Sequence, residues 1–295
     1  MKKRITIIGL GLIGGSIGLA LKQNNTTVEV VGYSRTPQTI SLAYQCGAID
    51  RGEPELLDAI ANATIVIIAT PVLTIKEILS KIGLHLPSGC VVTDTASTKE
   101  DIMKWAEEYL PVTASFIGGH PMAGKEQNGI LAAEPGLFQQ HTYCLVKGAQ
   151  SHPEAVDTML EMVNLLGAKP LFIDAAEHDK FVAGISHLPF LLSVALTQAT
   201  TQKTYWNKMS KLAANGYRDL TRLASGDTQM YRDICLTNQA NITSWIDDYI
   251  AVLRQIRESI DSWQIQELED ILTQAKNTRE NWLLENKGSF DDKTN

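Results

Sequence analysis

The sequence predicts an α/β protein: a doubly wound parallel sheet in the first half, then an all-helical region. Three observations predict it. Short, continuous apolar strands alternate with helical stretches as far as Asp174, the pattern of a parallel sheet covered on both faces. A glycine-rich turn, Gly9-Leu-Gly11-Leu-Ile-Gly14, joins the first strand to the first helix. Beyond Asp174 no convincing strand recurs and the patterns become long and helical.

The expected strands are Arg4–Ile8, Val28–Tyr33, Ile65–Ala69, Val91–Thr93, Ser115–Ile117, Tyr143–Val146 and Leu171–Ile173. Helical patterns fall between them at Gly14–Gln23, Gln38–Cys46, Thr74–Leu86, Thr98–Tyr109 and Glu154–Leu166. Pro111, Pro121, Pro135 and Pro153 punctuate the loops. Ala175–Thr201 reads as one long apolar helix that Pro189 should kink. Asn241–Ser262 and Ile265–Lys287 are long helical patterns, with Asn238 a plausible N-cap for the former. Helices of that length need a surface to cover their apolar faces, and an interlocked dimer through the helical domain is expected. The expected division is 1–174, 175–287 and a frayed tail at 288–295.

The chain has 295 residues, 44% hydrophobic and 20% charged, as in a globular enzyme. A net charge of −7 argues against nucleic acid as a partner, because phosphate binding needs a basic face. Cys46, Cys90, Cys144 and Cys235 are scattered, without a CxxC pair or a histidine cluster, so zinc and dithiol readings fail. Reduced thiols in the cytoplasm are the simpler account. No signal peptide is evident, and no segment is expected to supply the ~20 apolar residues of a membrane span.

Gly9–Gly14 is a dinucleotide fingerprint in its proper context, a strand before it and a helix after it. It makes the first domain Rossmann-type. Gly9 permits the tight turn, Gly11 lets backbone approach a pyrophosphate, and Gly14 allows close packing of helix on strand. The second strand ends in Gly32-Tyr-Ser34-Arg35-Thr, not in the acidic residue that grips the ribose of NAD. Ser34 and Arg35 suit a 2′-phosphate, so NADP is favoured over NAD; a solvated surface arginine is the other reading of Arg35. The expected cofactor-binding set is Gly9, Gly11, Leu12, Ile13, Gly14, Ser34, Arg35, Thr70 and Pro71.

Gly118-Gly-His120-Pro-Met-Ala-Gly-Lys-Glu126 holds a histidine between glycine and proline at the end of a strand. An ordinary imidazole titrates near ~6.5, which suits proton abstraction at neutral pH. Asp94-Thr-Ala-Ser97-Thr-Lys99 follows the fourth predicted strand. Ser97 is either an N-cap, with Glu100 completing a capping box, or a catalytic hydroxyl. The helical half adds Ser186-His187-Leu-Pro189 and Gly216-Tyr-Arg218-Asp219-Leu-Thr221-Arg222. An arginine fork is a natural clamp for a substrate carboxylate. His187 is either a ligand to substrate or a structural histidine.

In these motifs, together with His178-Asp179, the chain resembles the prephenate/arogenate dehydrogenases of tyrosine biosynthesis, from Gly9 to about Trp282. The resemblance implies oxidative decarboxylation of prephenate to 4-hydroxyphenylpyruvate, of arogenate to tyrosine, or of both. It implies that His120 takes the ring hydroxyl proton, that hydride passes to the nicotinamide, and that carbon dioxide leaves the opposite ring carbon. It gives Ser97 the task of holding that hydroxyl and the histidine in register. Arg222 would bind the ring carboxylate, with Asp219 and Glu126 in its ionic network. Ser186, His187 and Gly216 complete the expected substrate-binding set.

Two departures stand out. Many members carry a second histidine after Ser-His-Leu-Pro, where this chain has Phe190; that would shift preference towards arogenate. Tyr231 replaces a tryptophan, which keeps the aromatic character. Two rivals remain at this stage. A β-hydroxyacid dehydrogenase would need a catalytic lysine on the long helix, and Ser186–Pro189 argues against it. A non-catalytic NADP-sensing protein would have no use for His120, Ser97 and Arg222 together.

Overall fold

The computed structural model describes residues 3–24, 27–125, 127–148 and 151–286. The first half runs β1 (Arg4–Ile8), α1 (Leu12–Asn24), β2 (Glu29–Tyr33), α2 (Pro37–Gln45), β3 (Arg51–Glu53), α3 (Leu56–Ile60), β4 (Ile65–Ile68), α4 (Val72–Ile82), β5 (Val91–Asp94), α5 (Glu100–Tyr109) and β6 (Ser115–Pro121). It continues through β7 (Thr142–Lys147), α6 (Pro153–Leu165) and β8 (Lys169–Phe172). These eight strands form one sheet in the order β3-β2-β1-β4-β5-β6-β7-β8. Successive side chains of a strand point to opposite faces. Ile5 and Ile7 accordingly join one apolar cluster with residues of α1 and α6. Ile8, Val66 and Ile68 join a second cluster with residues of α3, α4 and α5. Both faces are thus covered, as the continuous apolar strands predict.

One pairing departs from the expected all-parallel sheet, and one further strand was not expected. Among its described residues the connection from β6 to β7 contains only a single 3₁₀ turn, Ile130–Ala132, instead of a crossover helix, and β7 pairs antiparallel to β6. A parallel return needs a crossover connection, usually a helix. This pairing also draws Gly118–Pro121 into β6, so His120 lies inside the strand, opposite Cys144. β3 was not expected; its three residues, Arg-Gly-Glu, carry no apolar run.

The chain then runs α7 (Ala175–Val182), a π-helical turn (Ala183–His187), α8 (Leu188–Thr201), α9 (Trp206–Met209), α10 (Asn215–Thr221), α11 (Thr228–Thr237), α12 (Gln239–Asp261) and α13 (Ile265–Glu285). The expected single helix, Ala175–Thr201, is one continuous helical run with the π turn set into it. Pro189 sits in the first turn of α8, directly after the π turn, in which the Leu188 N–H bonds the Ala183 carbonyl. Contrary to expectation, Ala175–Thr201 is long and apolar enough to cross a membrane, with a mean hydropathy of 1.5 over its best window. Its first turns nevertheless bury the polar His178 and Asp179, a pattern of core packing and function that would be costly in lipid.

By compactness the chain forms two units, 1–239 and 240–295. The helices from Ala175 to Thr237 therefore belong with the sheet. The boundary at 174/175 marks where strands cease. The tail expected at 288–295 lies outside the described residues.

Gly14 tests the packing of α1 on the first turn. A Cβ there would meet the Gly9 carbonyl oxygen at 2.0 Å, whereas a Cβ on Gly11 meets nothing within 4 Å. Gly14→Ala should lower stability by about 1–3 kcal/mol, the cost of overpacking. The check is a lower urea midpoint at unchanged slope. Gly11→Ala should leave the midpoint unchanged; equal midpoints for the two variants would contradict the packing account.

Candidate active site

The carboxyl ends of β1, β2 and β4 frame a cleft of about 600 Å³ lined by Gly9, Gly11, Ser34, Arg35, Thr70 and Pro71. These are six of the nine residues expected to bind cofactor. The other three, Leu12, Ile13 and Gly14, open α1. Leu12 and Ile13 turn their side chains into the core, so what they offer is the backbone N–H groups of a helix N-terminus. Gly9 has φ +99°, and a Cβ there would meet the Ala69 carbonyl oxygen at 2.3 Å. The space over Gly11 is open. Thr70 Oγ1 is buried without a partner. An open glycine, a helix N-terminus and an unpaired hydroxyl fit the diphosphate of a nicotinamide dinucleotide. The cleft also holds two charged residues that were not expected, Glu77 and Lys81. They form an ion pair one turn apart on α4 at 2.6 Å, and the Glu77 carboxyl is held below its ordinary value mainly by Lys81, with a smaller contribution from Arg35.

Farther along the same edge, β5 and β6 carry a buried polar cluster. Asp94 ends β5 and forms a fully buried ion pair with Lys99. Its carboxylate also accepts the Gly119 N–H at 3.1 Å and the Ala96 N–H at 2.9 Å. This ties the turn after β5 to β6 one residue before His120. His120 is buried, and its Nδ1 lies 2.9 Å from His178 Nε2. His178 Nδ1 lies 2.8 Å from Asp179 Oδ1. Burial, then the neighbouring His178, Lys99 and His187, hold His120 well below the ordinary imidazole value. His120 is therefore a neutral base at pH 7.

Asp179, not Ser97, supplies the cap of α5. α5 begins at Glu100, with Lys99 at its N-cap position. The amides of Lys99 and Glu100 donate to Asp179 Oδ1 at 2.7 Å and Oδ2 at 2.9 Å. The cap thus comes from α7, eighty residues downstream of Lys99, and Ser97 stands half-buried in the turn before it. Asn238, expected as an N-cap, directly precedes α12; its Nδ2 donates to the Asp179 carbonyl at 2.7 Å and lies 3.3 Å from His187 Nδ1.

The π turn holds the half-buried Ser186 and the buried His187, in the kind of helical distortion that often marks functional sites. His187 Nε2 is buried without a partner. Burial lowers the His187 pKa to about 4, against the pull of Asp179. Phe190 is buried and stacks on Tyr231, with ring centroids 3.3 Å apart and planes 5° from parallel. Burial pushes the Tyr231 phenol up and the Arg222 cation opposes it. Asp219 is exposed and pairs with Arg218 at 3.3 Å, Gly216 is exposed on α10, and Glu126 lies outside the described residues. The residues missed as site candidates are His178, Asp179 and Asn238. The first two stand in the His178-Asp179 pair that the sequence already singles out; Asn238 carries no such signal.

Comparison with known proteins bears on these features. Residues 17–171 match the family described as prephenate dehydrogenase, nucleotide-binding domain, and residues 174–274 match its dimerization domain. The prephenate dehydrogenase of Bacillus subtilis (strain 168) is 33% identical over 294 residues, spanning 98% of this chain and 79% of the relative. The crystal structure of Synechocystis arogenate dehydrogenase aligns with a TM-score of 0.82 at 32% identity, over 95% of this chain and 99% of that one. Prephenate dehydrogenase from A. aeolicus, in complex with hydroxyphenyl propionate and NAD+, aligns with a TM-score of 0.89 at 27% identity, over 95% and 98%. The chain belongs to the prephenate dehydrogenase family.

Proposed function

We propose that the chain catalyses NADP-dependent oxidative decarboxylation of arogenate, prephenate or both. The observation that carries this reading is His120, a buried imidazole held neutral at the same sheet edge as the cofactor cleft. His120 takes the proton of the ring hydroxyl, and Ser97 holds that hydroxyl in place. The cleft residues Gly9, Gly11, Ser34, Arg35 and Thr70 would hold a nicotinamide dinucleotide, which would supply the hydride acceptor. Loss of carbon dioxide makes the ring aromatic, so the chain has only to supply a base and placement. Arg222 clamps the ring carboxylate, which loses its charge on reaction and must not be gripped too tightly. His187 Nε2, buried and unpartnered, together with Ser186, serves the rest of the substrate; Gly216, Asp219 and Glu126 support the Arg222 end.

Ser34 and Arg35 line the cleft beyond β2 with no carboxylate at the strand end, which supports a 2′-phosphate reader. Phe190 closes the substrate pocket with an apolar wall, which favours arogenate. A second copy covers exposed apolar residues of the last two helices, among them Ile250, Leu253, Leu272 and Trp282, making a homodimer through the helical domain. Four free cysteines suit the reducing cytoplasm. The whole reading is tested by initial rates with both substrates and both cofactors; no turnover of either substrate would overturn it.

His120→Asn should keep cofactor affinity and lower kcat by on the order of 10²–10⁴, the usual worth of a general base. In the native enzyme the neutral base is lost only as pH falls through its depressed pKa. The acid limb of kcat/KM should therefore lie below pH ~6.5, the ordinary imidazole value. A folded His120→Asn enzyme of near-normal rate would refute the assignment.

Arg35→Ala should weaken NADP by ~1.5–3 kcal/mol, the range for hydrogen bonds to charged groups, and leave NAD nearly unchanged. Titrations of both cofactors check this, and equal losses would mean that Arg35 packs on adenine. Arg222→Gln should raise KM for both substrates without changing cofactor affinity, because both carry the ring carboxylate. Phe190→His should raise prephenate use relative to arogenate. Specificity ratios for the two variants decide; an unchanged ratio for Phe190→His would remove residue 190 from substrate reading.

A further inference from the structure

We infer that His178 and Asp179 are positioning residues that fix the tautomer of His120, leaving its Nε2 as the bare nitrogen that takes the substrate proton. This deepens the proposed function and rests on it for the identity of the proton donor. The assignment follows from the direction of each hydrogen bond. Asp179 accepts backbone amides on both oxygens, from Lys99 at 2.7 Å and Glu100 at 2.9 Å. A backbone N–H can only donate, so both oxygens of Asp179 are acceptors here, and we take the carboxylate as the acceptor towards His178 as well. The contact of Asp179 Oδ1 with His178 Nδ1 at 2.8 Å therefore requires a proton on that nitrogen. A neutral imidazole with its proton on Nδ1 has a bare Nε2. His178 Nε2 lies 2.9 Å from His120 Nδ1, so His120 must donate there, and its own Nε2 stays unprotonated.

All three side chains are buried, His178 and Asp179 at 1% exposure each. Water therefore does not compete for these bonds, and each link constrains the next. A second imidazole thus stands between carboxylate and base. When His120 Nε2 takes the hydroxyl proton, the O–H bond breaks and an N–H bond forms. The positive charge that develops faces an accepting nitrogen, which is itself polarised by a carboxylate. The same carboxylate caps α5, so the base is set correctly only while α7 is docked on α5.

The test is the two-bond ¹H–¹⁵N spectrum of the cofactor-free protein labelled in histidine, at about pH 8, above the ordinary imidazole value of ~6.5. Six histidines contribute, and His120→Asn identifies the signal of residue 120 by its loss. His120 should appear with its proton on Nδ1. His178→Leu removes the acceptor: His120 should lose its single tautomer and kcat should fall at least about tenfold with unchanged cofactor affinity. His178→Gln, whose amide oxygen can accept the same bond, should recover most of the rate. A native His120 protonated on Nε2 would overturn the inference, and so would a His178→Leu enzyme with native kcat. Should His178→Leu not fold, the native spectrum alone decides. That spectrum needs no substrate, so the tautomer assignment can fail while the activity stands, and the reverse.

Discussion

The carboxylate of Asp179 is the fixed point about which this site is built. It accepts the first amides of α5 through both oxygens and contacts the Nδ1 of His178. Its own backbone carbonyl takes the amide of Asn238. An ionised carboxylate at a helix N-terminus is favoured by the helix dipole and by charge-assisted hydrogen bonds. Burial makes that arrangement stringent, because a buried charge that lost these partners would be strongly destabilising. The strand end that carries His120, the helix that follows the Ser97 turn and the π turn with His187 are therefore held in one register by a single side chain and its neighbours.

A second buried charge works beside it. Lys99 is fully enclosed with Asp94, whose carboxylate also holds the Gly119 amide. The pair anchors β6 just before the base, and the lysine is one of the charges that keep His120 from protonating. The sheet supplies the other half of the design. Its parallel strands end on one edge, where the glycine turn after β1 leaves space for a dinucleotide. In the proposed reaction, helix N-terminus, neutral base and Arg222 would serve three needs of an oxidative decarboxylation: an anion site, a proton acceptor and a grip on the group that leaves.

Much of this was legible in the residues. The apolar strands announced the sheet, and Gly9–Gly14 announced the cleft at its edge. His120 stood out because glycine and proline flank it at a strand end. What stayed hidden depended on contacts between residues distant in sequence. The cap of α5 comes from Asp179, so the local Ser97–Glu100 pattern misled. The antiparallel β7 followed from a connection without a crossover helix, although its apolar run looks like any other strand. Pro189 promised a kink at its own position, yet the distortion appears as a π turn upstream, where it holds Ser186 and His187. Glu77 and Lys81 read as a solvated helical pair until the fold set them in the cleft.

The proposed role of His120 as base couples hydride transfer to loss of the ring carboxylate. The most direct measurement uses substrate labelled in the ring carboxylate and counts labelled carbon dioxide against reduced nicotinamide in a single time course. The account predicts one carbon dioxide per reduced nicotinamide, with both slowed by the same factor when His120 is replaced by Asn. Reduced nicotinamide formed without carbon dioxide, or a His120→Asn enzyme that slowed only one of the two, would contradict it.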